Sequence, residues 1–310
     1  MGEQGIGPHL AALVVPFTPQ DAVDEPALRG LIRYVAGTRL MNGVVVNAHA
    51  GEVASLTLEE RRRVVEAMVD EAHRHGLQAV AGIDPHPATI AGTIRMGREI
   101  EAAGADAILL MAPSWFTWGI DPEVVHGFVK ALADAVKTPV LFFTMGAYSG
   151  VNYTPEIVRR VADVPGVIGV KDTMWSTDGF EANLRALRQV PRPFTVLTGN
   201  DVHLFYNFLA GADGTLLILN VLYPEIVLEM FEGVRSGDIP RARNAHHRQE
   251  ELARLLFAPP MLKMVPRMKE ALAMLGRIPR ADVRPPLPRL TDAEREAIRQ
   301  ALVRAKLLNA

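Results

Sequence analysis

The chain predicts an α/β protein of the (β/α)8 TIM-barrel class, and two observations support that expectation. Eight short, continuously apolar runs alternate with amphipathic stretches of helical period. Unbroken rather than alternating hydrophobicity is expected of parallel strands covered on both faces. The chain is 310 residues long and 49% hydrophobic, which suits one closed barrel of ~250 residues with additions. A doubly wound open sheet is the competing architecture, but it normally has fewer strands.

The runs that read as strands are Leu10 to Phe17, Gly43 to Asn47, Gln78 to Gly82, Ala107 to Met111, Pro139 to Phe143, Val167 to Val170, Phe194 to Leu197 and Gly214 to Leu219. Helical period appears over Leu58 to His75, Thr89 to Ala102, Pro122 to Val136 and Pro155 to Val161. Thr57 with Glu60 spells a capping box, Thr154-Pro155 puts an N-cap before a first-turn proline, and Gly76 and Gly104 stand where helices should stop. Beyond about Ser236 the strands end. Asp238 to Phe257, Leu262 to Leu275 and Thr291 to Leu307 predict three further helices, the last with its own box at Thr291 and Glu294. Residues 1–235 are thus expected to form the barrel, and residues 236–310 a helical extension packed on it. Arg284-Pro285-Pro286-Leu287-Pro288 reads as a stiff connector.

Composition removes several classes of function. There is no cysteine, which excludes disulfides, thiolate catalysis and thiolate metal sites. A net charge of −2 gives no basic excess for nucleic acid. No apolar run approaches ~18 residues, and no leader-like amino terminus is seen. A cytoplasmic protein without membrane or nucleic-acid partners is the expectation.

In a barrel of this class the chemistry gathers on loops following the carboxyl ends of the strands. Those positions hold Phe17-Thr18, His49-Ala50-Gly51-Glu52, Asp84 with His86, Ser114-Trp115-Phe116, Phe143 to Ser149, Lys171-Asp172 and Asn200-Asp201. Lys171 stands out because lysine is rare here, occurring otherwise only at 130, 137, 263, 269 and 306. Arginine stays protonated near neutral pH, whereas a lysine in an apolar site can lose its proton and attack a carbonyl carbon. The plainer reading is a lysine that ends a strand and reaches to solvent.

His49 reads either as a hydrogen-bonding loop residue or as part of the site. His246-His247 with Glu250 have ligand-like spacing, but a solvated helix face explains them. Asp84 and His86 lack a third ligand, so no metal or cofactor is expected. Trp115, Phe116 and Trp118 fall in a loop, where a pocket wall or subunit contact competes with plain core. No phosphate-cradling glycine motif and no G-x-S-x-G elbow occurs.

Several segments together resemble the dihydrodipicolinate synthase/N-acetylneuraminate lyase family: Gly51-Glu52 followed by Leu56-Thr57 and Glu60, Pro139 to Gly150, Gly169-Val170-Lys171-Asp172, and Leu197-Thr198-Gly199-Asn200-Asp201. Lys269-Glu270-Ala271-Leu272 with Val283-Arg284-Pro285-Pro286-Leu287 is similar to the family's helical tail. The resemblance spans nearly the whole chain. It implies a barrel assembled as a homotetramer or homodimer, with Lys171 as a Schiff-base lysine toward pyruvate or a related 2-oxo acid. It also implies that backbone N–H groups at Ala50 and Gly51 receive the substrate carboxylate.

The departures are informative. Two hydroxyl residues that family members usually carry before the Gly-Glu pair are His49 and Ala50 here. The tyrosine that usually ends strand five is Phe143, and the arginine that dihydrodipicolinate synthases place further along that loop is Tyr148. After strand four stands Trp115, a position resembling the tryptophan of hydratase-aldolases acting on aromatic pyruvates. The expectation is therefore a divergent Schiff-base lyase, an aldolase or hydratase-aldolase, with an apolar or aromatic partner substrate. Phe143, Trp115 and Leu216 would line the site, and Tyr148 or His49 would carry protons. A dehydratase or deaminase using the same lysine and a non-catalytic 2-oxo-acid-binding relative are the alternatives.

Overall fold

The computed structural model describes residues 5–146 and 150–309; Tyr148 lies outside them. Eight parallel strands follow one another around a closed barrel: β1 (His9–Ala12), β2 (Gly43–Val46), β3 (Gln78–Ile83), β4 (Ala107–Leu110), β5 (Val140–Met145), β6 (Val167–Thr173), β7 (Thr195–Thr198) and β8 (Gly214–Leu217), with β8 returning to β1. The TIM-barrel expectation is met. Parallel neighbours need long crossovers, which helices supply here. These are α1 (Glu25–Thr38), α2 (Leu58–Arg74), α3 (Ile90–Ala102), α4 (Pro122–Ala135), α5 (Pro155–Ala162), α6 (Thr177–Leu187) and α7 (Leu204–Ala210). After β8 come α8 (Leu219–Leu222), α9 (Pro224–Ser236), α10 (Ile239–Leu256), α11 (Met264–Met274) and α12 (Asp292–Arg304). In this last group α10 packs on α9 and α12, and α12 on α11.

The start signals work as their chemistry requires. Thr57 accepts from Glu60 N while Glu60 reaches back to Thr57 N, and Thr291 with Glu294 does the same. Thr154 caps α5 ahead of Pro155.

Ladder register decides which residues face the barrel axis. Phe143 pairs with Lys171 and Lys171 with Leu197, so the three side chains share one side of the sheet. A period of two adds Met145, Thr173 and Gly199 in the next layer toward the carboxyl ends. Leu197 pairs with Gly214, and Leu216 with Leu10, which places Leu216, Ile218, Leu10 and Ala12 on that side as well.

The ends of four strands differ from expectation. β1 ends at Ala12, and Phe17 instead bridges antiparallel to Val23. β8 ends at Leu217, and Leu219 opens α8. β5 and β6 both run further than their apolar segments, pairing through Met145 and Thr173. Lys171 is therefore inside a strand rather than on the loop beyond it.

At the opposite end of the barrel His9 is 8% exposed, its Nδ1 3.1 Å from Thr215 Oγ1 and its ring edge-on to Phe231 at 4.7 Å. Burial, helped by the Arg235 cation, lowers its pKa to about 4. An unfolded chain takes up this proton near ~6.5, the native one only near the lowered value, so stability is lost as pH falls through that window. In urea titrations the stability advantage of wild type over His9→Gln should shrink by on the order of 3 kcal/mol between neutral and strongly acidic pH.

Candidate active site

Lys171 projects from β6 into a cavity of about 310 Å³ at the carboxyl end of the barrel. Its walls are mostly apolar. Phe143 and Met145 come from β5, Thr173 and Trp175 from the end of β6, Gly199 and Asp201 from the turn after β7, and Ile218 follows β8. Ala12, His49 and Ala50 close the side toward β1 and β2, and Phe257, Met261 and Met264 form a roof from the carboxyl-terminal helices.

Lys171 is 8% exposed, and its amine lies 4.1 Å from the centroid of the Phe143 ring. Burial pulls its pKa below the ordinary lysine range, and the Asp201 carboxylate opposes that shift. Asp201 is itself buried, accepting a hydrogen bond from Leu219 N at 3.1 Å, and burial raises its pKa while Leu219 N and the Lys171 charge hold it down. A ring face attracts a cation, so Phe143 and Asp201 both favour the protonated amine. Desolvation works against both. Such an amine releases its proton more readily than a surface lysine.

Space for the lysine depends on Gly199. A side-chain carbon there would sit 2.6 Å from Lys171 Cε and closer still to Thr173 Oγ1. Asp172 points to the other side of the sheet. It accepts from Met174 N at 2.9 Å and Asn183 Nδ2 at 2.8 Å, a brace for the strand end rather than a cavity group. Burial raises its pKa to about 6.

His49 opens a short 3-10 turn, His49–Gly51, and its ring centroid lies 5.4 Å from that of Phe143. His49 is exposed, and it lines the cavity. Burial first, then the Lys171 cation, lower its pKa and keep it neutral at ordinary pH, with Asp84 opposing. A smaller chamber of about 170 Å³ adjoins the main one, sharing His49, Phe143 and Met145 as its wall and bounded by Met111, Ala112 and Tyr153.

The structure thus brings Lys171, His49, Ala50 and Phe143 together. Gly51 is turned away: its N–H donates to the Ala48 carbonyl at 3.0 Å, and it does not line the cavity. Leu216 is fully buried one layer below the cavity floor, and Ile218, two residues on, takes the place expected of it. Trp115 lies on the outside, 58% exposed and edge-on to Trp118 at 5.2 Å. The indole that lines the cavity belongs to Trp175, tilted against Phe257 at 5.9 Å. Tyr148 falls outside the described residues. His246, His247 and Glu250 do gather their ligand atoms within 4.8 Å of one another, but on α10 and not in the cavity.

Sequence reading assigned Thr173 no role, although counting by two from Lys171 along β6 reaches it, and Gly199 entered only as part of a family segment. It had no signal for Phe257, Met261 or Met264, which come from a part of the chain without strand register.

This arrangement has known counterparts. The model of the dihydrodipicolinate synthetase family matches residues 6–305. The chain belongs to that family. The 4-hydroxy-tetrahydrodipicolinate synthase of Syntrophus aciditrophicus is 30% identical over 94% of this chain and 96% of its own. The solved structure of YagE from Escherichia coli, a family member in complex with pyruvate, superposes with a TM-score of 0.87 at 25% identity, covering 96% of this chain and 98% of its own. The chloride-inhibited dihydrodipicolinate synthase of Acinetobacter baumannii, also complexed with pyruvate, gives 0.87 at 25% identity over 98% of this chain and 100% of its own. This family member therefore sits among lyases and aldolases.

Two outcomes follow from the cavity's electrostatics and space. Asp201→Asn removes the charge that favours the protonated amine. The pH at which Lys171 becomes reactive toward an acylating reagent, read by peptide mass mapping, should move down; an upward move contradicts the account. Gly199→Ala should slow that acylation about tenfold or more, since the added carbon displaces the lysine side chain.

Proposed function

We propose that Lys171 forms an imine with a 2-oxo acid such as pyruvate, and that the protein is a Schiff-base lyase of the aldolase or hydratase-aldolase kind. The observation that supports this best is the amine itself: buried, lowered in pKa, and facing a mostly apolar cavity of about 310 Å³. The pyruvate held by two solved relatives supports the substrate class.

In this reading the neutral amine attacks the ketone carbon and water leaves, which requires one proton for the departing oxygen. The iminium then draws electrons from the adjacent carbon, whose proton passes to a base and leaves an enamine. That carbon can attack an aldehyde, whose oxygen takes up a proton; reversal of these steps cleaves the same bond. Hydrolysis of the final imine restores Lys171. His49 suits the proton-carrying role because its ring is neutral and faces the cavity. Tyr148 is its rival for that role, since Phe143 has no hydroxyl. The substrate carboxylate is assigned to the turn at Ala50, and Thr173 lines the cavity with Lys171.

Phe143, Met145, Trp175 and Phe257 make a better wall for an apolar or aromatic partner than for a polyhydroxylated one. Assembly into a dimer or tetramer belongs to the same proposal. Trp115 and Trp118, 58% and 84% exposed, form the kind of aromatic surface that subunit contacts cover.

Pyruvate with borohydride should attach one reduced pyruvyl group to wild type, and peptide mapping should place it on Lys171. Lys171→Ala should take up none while keeping its fold. An adduct on another lysine, or none in wild type, ends the imine reading.

A further inference from the structure

The turn that carries His49 and Ala50 is held from outside the barrel. Its next residue, Glu52, adopts a left-handed backbone at φ 52° and turns its carboxylate inward, where the side chain is 1% exposed. There it forms an ion pair with Lys269 of α11, whose side chain is fully buried. Lys269 Nζ also donates to the Asp282 carbonyl at 2.8 Å and lies 4.1 Å from the Phe17 ring centroid.

A second cation from the same tail, Arg284, lies 4.4 Å from that ring. Its guanidinium binds Glu60 at 2.6 and 2.8 Å, the Ser55 carbonyl at 2.8 Å and the Asp21 carbonyl. Two carboxyl-terminal cations therefore grip the loops after β1 and β2 around one phenyl ring. A non-glycine residue in the left-handed region is uncommon and needs surrounding contacts to hold it. Here the ion pair supplies them, three residues from His49.

We propose that Glu52 and Lys269, seconded by Arg284, position the His49–Gly51 turn against Lys171 and so set the affinity for the 2-oxo acid. Neither Glu52 nor Lys269 lines the cavity; both act through the turn. This inference rests on the imine reading for its kinetic test but not for its structural one.

A buried pair broken on one side leaves a bare charge, so either single variant confounds stability with positioning. The test is the double variant Glu52→Gln/Lys269→Met, which removes both charges together. Its melting temperature should recover most of what each single variant loses. The KM for pyruvate should remain raised about tenfold or more with kcat changed far less, the signature of lost ground-state binding. A stable double variant with wild-type KM overturns the proposal.

Arg284→Gln, at the cluster's more exposed edge, should raise KM in the same direction by a smaller factor. An unchanged KM in that folded variant also overturns it. If wild type forms no adduct with pyruvate, the imine reading fails by itself, and the positioning role is then read without substrate. Nuclear magnetic resonance titration of the His49 ring should give a higher pKa in the double variant than in wild type, as the ring moves away from the Lys171 cation. An unchanged His49 titration sinks the positioning role.

Discussion

An amine withdrawn from water is the constraint on which the site depends. Lys171 can be short of solvation only if its neighbours offer little in return, and the cavity wall is chosen accordingly. Phe143, Trp175, Ile218 and Phe257 offer no hydrogen-bond acceptor to an ammonium in place of water, and Met145 only a weak one. One carboxylate, Asp201, moderates the effect, and its own burial blunts it. A second acidic group at the same depth would hold the proton on the lysine. Asp172, next in sequence, is kept from doing this by strand alternation, which sends it to the other side of β6 with Asn183 and Met174 as partners.

Much of the barrel was legible because its strands are bounded by chemistry that acts locally. Unbroken apolar runs, the Thr57–Glu60 and Thr291–Glu294 boxes and Pro155 at a helix start each work within a few residues. Strand ends are less legible, because a ladder stops where its neighbour stops. Nothing in Val167 to Val170 says that β5 will accompany β6 through Thr173, so Lys171 was expected on a loop. Leu216 and Ile218 share a face, and only the depth of the cavity floor distinguishes them. Trp115 is an aromatic at a loop tip, and sequence cannot tell a tip that folds inward from one that faces out.

The departures from family pattern are better understood with the geometry in hand. His49 and Phe143 occupy positions where the family usually has hydroxyls, and they now meet ring to ring, 5.4 Å apart, beside the amine. Where the family pattern implies a hydroxyl relay, this chain has an aromatic wall bearing one ionisable ring. The roof from Met261, Met264 and Phe257 continues that change, since thioether chains can adapt to varied apolar shapes.

The Glu52–Lys269 pair also has a consequence in time. The acid is translated early, and its counter-ion arrives more than two hundred positions later, after all eight strands have been made. Until then the β2 turn carries a carboxylate that cannot be buried without its partner. During synthesis the strands can close while the mouth above them stays unset. Helices made after the eighth strand therefore finish the first loops, and a chain cut short before α11 keeps its lysine but loses the ion pair that holds the β2 turn.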